Sequence, residues 1–277
     1  PISFILILCM VLAMMPMMGG TASATVGDTF SANITVGGTD VSCTFKVLTE
    51  DTSTNTGTVQ IGAGTLAAIS ITAAGVMEIP SSVSHGGKTY DVTKIGNSAF
   101  SGCSELTGAL TIPTSVTTIV EYAFYGCSGL TGNLTIPEGV TTIGSRAFGQ
   151  CSGLTGNLII PNSVTSLGSL AFFQCNKLTG LELTGTALQT IGNYAFFECS
   201  GLTGTLTIPS SVTSIGSFAF YNCTSLSALV FIGSALQTIG QYAFYDCSKL
   251  TGALTIPSSV TTIGSYAFKN CSGLTGT

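Results

Sequence analysis

The stretch LTIPEGVTTIGSRAF (134–148) returns almost unchanged as LTIPSSVTTIGSYAF (254–268), five periods of 24 residues later. Working outward from it, the same spacing governs three columns. Phe stands at Phe100, Phe124, Phe148, Phe172, Phe196, Phe220, Phe244 and Phe268. Cys follows at Cys103, Cys127, Cys151, Cys175, Cys199, Cys223, Cys247 and Cys271, and Leu three residues after each Cys. A fixed period of this length means a solenoid, because one such unit cannot bury its apolar side alone and must stack on its neighbours.

The chemistry of a single unit agrees. Leu134 and Ile136 flank Thr135 with strand periodicity. Pro137 ends that strand, since Pro cannot donate to a central ladder. Val140 and Ile143 point inward again, Gly144 allows a turn, and Ala147 and Phe148 enter the core from a single 3₁₀ or α turn. Cys151 and Leu154 close the coil. Eight coils at ~4.8 Å each make a body about 40 Å long. Two units shift their strand one residue early, Leu181-Glu182-Leu183 and Leu229-Val230-Phe231, with Gly185 and Gly233 in the Pro column. The period stays at 24, so one residue moves from one corner to another.

Residues 25–94 read as an N-terminal β cap with a first, hairpin-inserted repeat. Strand-like runs cover 30–36, 41–48, 58–61 and 69–71, and His85-Gly86-Gly87-Lys88 reads as a hairpin tip. Residues 95–277 are then the solenoid of about eight coils. Ahead of the cap, Ile2 to Val11 is apolar and Ala22-Ser23-Ala24 supplies an A-x-A site, which reads residues 1–24 as a secretory signal peptide truncated at its start. The last coil reads as truncated at Thr277.

Composition narrows the function. Of 277 residues, 7 are Lys or Arg and 12 are Asp or Glu, for a net charge of −5. Charged residues make up 7%, against ~25% in an ordinary domain. Seven scattered cations cannot build the basic face that nucleic acid requires. Catalysis lacks its parts: the one His, His85, lies on the hairpin tip, and Glu105, Glu121, Glu138, Glu182 and Glu198 occupy different columns and do not converge. The run 62–67 imitates a dinucleotide fingerprint without its βαβ context. Asp51 to Asn55 resembles the start of a calcium loop but lacks its Gly and Glu, and reads as a polar turn. No metal and no cofactor is implied.

The Cys column has three readings: buried free thiols, some disulfides between neighbouring coils, and zinc. The first is favoured, because parallel side chains on equivalent corners face each other badly for bridging and Cys packs as a small hydrophobe. Surface columns are better candidates for contact. Tyr122, Tyr194, Phe218, Tyr242 and Tyr266 form one, interrupted by Arg146 and Leu170; Tyr125, Phe173, Phe197, Tyr221 and Tyr245 form a second. Such a strip suits glycan or protein contact, or simply stacks coil on coil. The outward strand column, from Thr111 and Thr135 to Thr255, is interrupted by Ile159, Glu182 and Val230 and reads as β-propensity without charge.

Ile136-Pro137, Val140, Ile143-Gly144, Ala147-Phe148, Cys151 and Leu154, with their equivalents, resemble the BspA-like (Treponema-type) leucine-rich repeat family over about 76–277. Repeats of that family are commonly one residue shorter, and only the two shifted units keep the shorter spacing. The resemblance implies a leucine-rich-repeat solenoid of right-handed stacked coils, mainly β with short 3₁₀ or α turns. It also implies a secreted or cell-surface protein, with adhesion known in some members. The expectation is a non-catalytic module that binds extracellular proteins or glycans through its aromatic columns, with no nucleic acid and no membrane insertion of the mature chain. The alternative is a structural surface-layer or spacer element that self-associates.

Overall fold

The computed structural model describes residues 24–64 and 66–275; the segment read as a signal peptide lies outside them but for Ala24, as do Thr65 and the last two residues. The period becomes a stack of coils of about 24 residues each, with two hydrogen-bonded faces. On the first face each Thr-Ile pair forms a two-residue parallel strand. Ile119 registers with Ile143, Ile143 with Leu167, and so on to Ile263. The Thr before each pair adds a side-chain bond: Thr141 Oγ1 donates to the Thr117 carbonyl at 3.3 Å, and Thr165 Oγ1 to that of Thr141. This is why uncharged Thr fills an exposed column here: it is a good strand former and it satisfies a carbonyl of the coil before it.

The second face carries the longer strands, and it is discontinuous. Residues 156–160 pair with 178–183, and 204–208 with 226–231, each through a register shift. Leu158 meets Leu181 and Leu206 meets Leu229, one residue short of the 24-residue offset. The early strands of the two shifted units cause this. The displaced residue is recovered at the next coil, where the ladder reduces to a Thr203 N–H donating to the Thr179 carbonyl at 3.0 Å.

The cap joins both faces. β1 (Thr29–Val36), β2 (Thr39–Asp51) and β3 (Thr56–Ile61) form an antiparallel meander. β4 (Gly75–Glu78) pairs with β1, and β5 (Ser82–His85) turns through Gly86 and Gly87 into β6 (Lys88–Ile95). The two glycines take φ 59° and 77°, the left-handed pair that a two-residue hairpin demands. β3 pairs with β6, which starts the Thr-Ile ladder, while β4 pairs with β7 (Leu106–Thr111), which starts the other face. One 14-stranded sheet thus wraps the end of the stack. Residues 69–71 are not a strand. Ser70 and Thr72 bond through their hydroxyls, and the Ala73 N–H returns to the Ser70 carbonyl, so this segment is a turn that buries Ile69 and leaves Ile71 exposed.

Phe30, Phe45 and Tyr90 fill the cap interior. Lys88 is buried beside them, and its Nζ donates to Glu50 at 2.6 Å, while the Tyr90 hydroxyl donates to the same carboxylate at 3.0 Å. At the far end the apolar residues are less covered: Ile263 is 50% and Tyr266 53% exposed.

Candidate functional site

No helix occurs among the described residues. The corner expected to hold a 3₁₀ or α turn is instead a chain of i→i+3 turns. Ala147 N–H bonds to the Gly144 carbonyl, Gly149 to Arg146, and Cys151 to Phe148. A helix cannot propagate, because Arg146 and Gln150 sit at φ 55° and 60°, in the left-handed region. Every coil repeats this. The left-handed conformation turns alternate N–H groups along the stack, so that Arg146, Phe148 and Gln150 each donate to the next coil, at Ser169, Ala171 and Phe173. The corner is therefore a third hydrogen-bonded face.

Gly144 does not serve as the expected turn residue. It has no positive φ; a Cβ there would come within 2.6 Å of the Glu121 backbone N, and the equivalent Gly168 would meet Ser145 N at 2.4 Å. The Gly column exists so that neighbouring coils can approach.

Inside the corner runs the Phe column. Rings from Phe100 to Phe268 stack at 5.1–5.4 Å within 15° of parallel. All but Phe268 are completely buried. The Cys column lies beside it as buried free thiols. From Cys127 onward each thiol donates to the Phe carbonyl of the coil before: Cys127 Sγ to Phe100 O at 2.9 Å, Cys199 Sγ to Phe172 O at 3.0 Å, Cys271 Sγ to Phe244 O at 3.0 Å. Burial pushes the Cys175 thiol up to about 12, and Cys151 and Cys199 well above their ordinary value, first through loss of water and then through neighbouring thiols. These groups are structural donors, not nucleophiles or metal ligands. Among the described residues no three His, Cys, Asp or Glu gather as metal ligands would.

Outside the corner lie the two aromatic columns. Tyr122, Tyr194, Phe218, Tyr242 and Tyr266 all occupy the first left-handed position, at φ 55–60°. A bulky residue there costs roughly 1–2 kcal/mol that Gly or Asn would avoid. From Tyr194 onward the columns fuse into a strip two rings wide. Tyr194 stacks on Phe218 at 4.7 Å, Phe218 on Tyr242 at 4.8 Å, and Tyr242 packs against Tyr266 at 5.1 Å. Phe197 stacks on Tyr221 at 4.8 Å and Tyr221 on Tyr245 at 5.0 Å, with tilted contacts between columns. Tyr122 and Tyr125 form a separate T-shaped pair. Arg146 covers Tyr122 and donates to its hydroxyl at 2.7 Å, while Lys269 sits over Tyr266 at 4.8 Å. The ring faces of the strip are spent on one another; edges and hydroxyls face solvent.

The second left-handed position makes a polar lane that the sequence reading missed. It holds Gln150, Gln174, Glu198, Asn222, Asp246 and Asn270. Gln150 donates to Gln174 at 3.1 Å, Gln174 to Glu198 at 2.8 Å, and Asn270 to Asp246 at 2.5 Å. The signal was present: Gly102, Gly126 and the two Asn in this column are residues that favour positive φ. Shallow grooves of about 380 and 300 Å³ open beside the lane, lined by Ser128, Gln150, Ser152 and Asn176 in the first and Glu198, Ser200, Asn222 and Thr224 in the second. Burial, then the neighbouring Tyr245, Asp246 and Glu198, hold the Tyr221 hydroxyl above its ordinary pKa.

The remaining candidates do not join this surface. His85 is in the cap hairpin, its ring flat on Phe30 at 4.2 Å. Asp51 accepts from Ser53 N, Ser53 Oγ and Thr54 N, which caps the β2–β3 turn and lowers its pKa. Glu182 takes a bond from Asn157 on the second face.

Similar proteins share this architecture. The leucine-rich repeat protein of T. pallidum superposes with a TM-score of 0.59 at 25% identity, over 73% of this chain and 86% of that one. A leucine-rich repeat protein from Eubacterium ventriosum gives 0.51 at 31% identity, over 69% of this chain and 50% of that one, so the chain spans half of that protein. A search by sequence among curated proteins finds no match. The model for the BspA type leucine rich repeat region matches in six copies over residues 88–186 and 154–275. With the coil, the buried Phe and Cys columns and the matched span all in agreement, this chain belongs to the BspA-type leucine-rich repeat family.

Proposed function

We propose that the protein works outside the cell as a non-catalytic binding scaffold, an adhesion module whose aromatic strip docks another protein. The carrying observation is the strip from Tyr194 to Tyr266: bulky rings kept at a left-handed position where smaller residues would be less strained, with their edges and hydroxyls half exposed. Backbone strain maintained in coil after coil points to a use for the side chains. Proteins rather than glycans fit the strip, because sugars stack on free ring faces and these faces are already stacked on one another. The apolar leader with its Ala22-Ser23-Ala24 site supports an extracellular role.

The test is a binding screen of the protein against immobilised matrix proteins, glycans and itself, beside a variant carrying Tyr194→Ser, Tyr242→Ser and Tyr266→Ser. Saturable binding to a foreign protein, weakened about tenfold or more in the variant, is expected. Binding only to itself would move the protein to the structural, self-associating role. Equal binding by the variant would remove the strip from the interface.

A further inference from the structure

The charge pattern beside the strip narrows the partner. The carboxyl side chains of the polar lane are Glu198 and Asp246, which stand two coils apart with Asn222 between them. Their contacts in the lane are amides, Gln174 for Glu198 and Asn270 for Asp246, and among the described residues neither pairs with a cation. Burial first, and then Tyr245 and these two carboxylates, raise the pKa of the Tyr221 hydroxyl, which lies between them on the strip. This chain's own cations already settle on such rings, Arg146 on Tyr122 of the separate pair and Lys269 on Tyr266 at the end of the strip. Two carboxylates held in place by amides beside an aromatic strip, and paired with no cation among the described residues, are complementary to a cationic ligand.

Geometry sets the spacing. Consecutive coils are 5.3 and 5.2 Å apart at Phe196–Phe220 and Phe220–Phe244. Two coils are therefore about 10 Å, and a polyproline II segment, which rises ~3.1 Å per residue and returns its side chains to the same face every third residue, spans the carboxylates with three residues. A β-strand, whose same-face residues are two or four apart, reaches only about 7 Å or overshoots to about 13 Å.

We infer that the strip and its lane take a basic polypeptide segment in the polyproline II conformation running along the stack, with Lys or Arg at every third position on Glu198 and Asp246 and its apolar side on the Tyr edges. This rests on the docking reading above and specifies the partner's chemistry.

The experiment measures anisotropy of labelled peptides on the protein at low salt. One peptide has Lys at every third position, a second of equal composition has Lys at every second position, and a third has Glu in place of Lys. The proteins are wild type, Glu198→Gln with Asp246→Asn, and the triple Tyr variant. The amide replacements keep the hydrogen-bonded lane, and an unchanged melting temperature checks this. The every-third peptide should bind most tightly, weaken with added salt, and lose about tenfold in affinity to each variant. Should it bind no better than the other spacings or the Glu peptide, the inference fails. If the Tyr variant loses binding while the carboxylate variant keeps it, the basic partner is wrong and the docking face stands. If neither variant matters, the peptide binds elsewhere and both fall.

Discussion

At the residue scale, the Phe column shows how one side chain serves two neighbours at once. Phe196 is fully buried between Phe172 at 5.4 Å and Phe220 at 5.3 Å. Its carbonyl accepts the Cys223 thiol at 3.3 Å. Truncation leaves a cavity shared by two interfaces, so Phe196→Ala should cost on the order of 3–5 kcal/mol in a urea titration. A loss below about 1 kcal/mol would mean the ring is not in a tight core. Cys fits beside this column because it is small, apolar and still a donor; Ala would remove the second bond to each Phe carbonyl, which already accepts a backbone N–H from its own coil.

At the element scale, the corner decides the shape of the coil. Its two left-handed residues prevent a helix and aim alternate N–H groups at the next coil. The second position is filled by residues suited to it or tied into the lane; the first is filled by Tyr, Phe, Leu and Arg against their preference. Leu170 is the informative case, since at φ 60° it carries the strain without an aromatic stack. Leu170→Asn should raise stability by about 0.5–1 kcal/mol by relieving that strain. Tyr194→Asn relieves the same strain but loses the 4.7 Å stack on Phe218 and should lower the melting temperature. Opposite signs for the two substitutions are the expected result, and equal signs would show that stacking contributes nothing.

At the scale of the whole molecule, repetition multiplies small effects. The column thiols from Cys103 to Cys247 are pushed above their ordinary value of 9.0, with Cys175 held to about 12, while Cys271 at the open end is lowered by its bond with Cys247. An unfolded chain ionises the same thiols near 9.0. Folded pKa values above unfolded ones mean that the stability is intact below pH 9 and is lost as pH climbs toward the folded values. Each such thiol removes about 1.4 kcal/mol per pH unit in that window. The raised Tyr90, at about 12, acts in the same direction. Urea midpoints should therefore stay level, as far as these groups are concerned, from pH 7 to 9 and then fall steeply by pH 11. A shallow decline would show that the thiols are solvated.

The 24-residue period, the inward columns and the cap hairpin were legible in the sequence, because burial by stacking forces the same apolar residues to recur at equivalent positions. His85-Gly86-Gly87-Lys88 announced its turn because only glycine pairs take that geometry cheaply. The corner was not legible: Tyr, Phe, Leu and Arg give no local sign of a left-handed backbone, which is imposed by hydrogen bonds to residues 23 positions away. For the same reason Gly144 looked like a turn residue when it marks a close approach to Glu121. The strip was visible as two columns, but whether its rings offered faces or edges depended on the ~5 Å coil spacing. The lane and its carboxylates exist only where coils meet. Periodicity is a property of one chain read along its length; contact across the period belongs to the stack, and only the tertiary structure decides it.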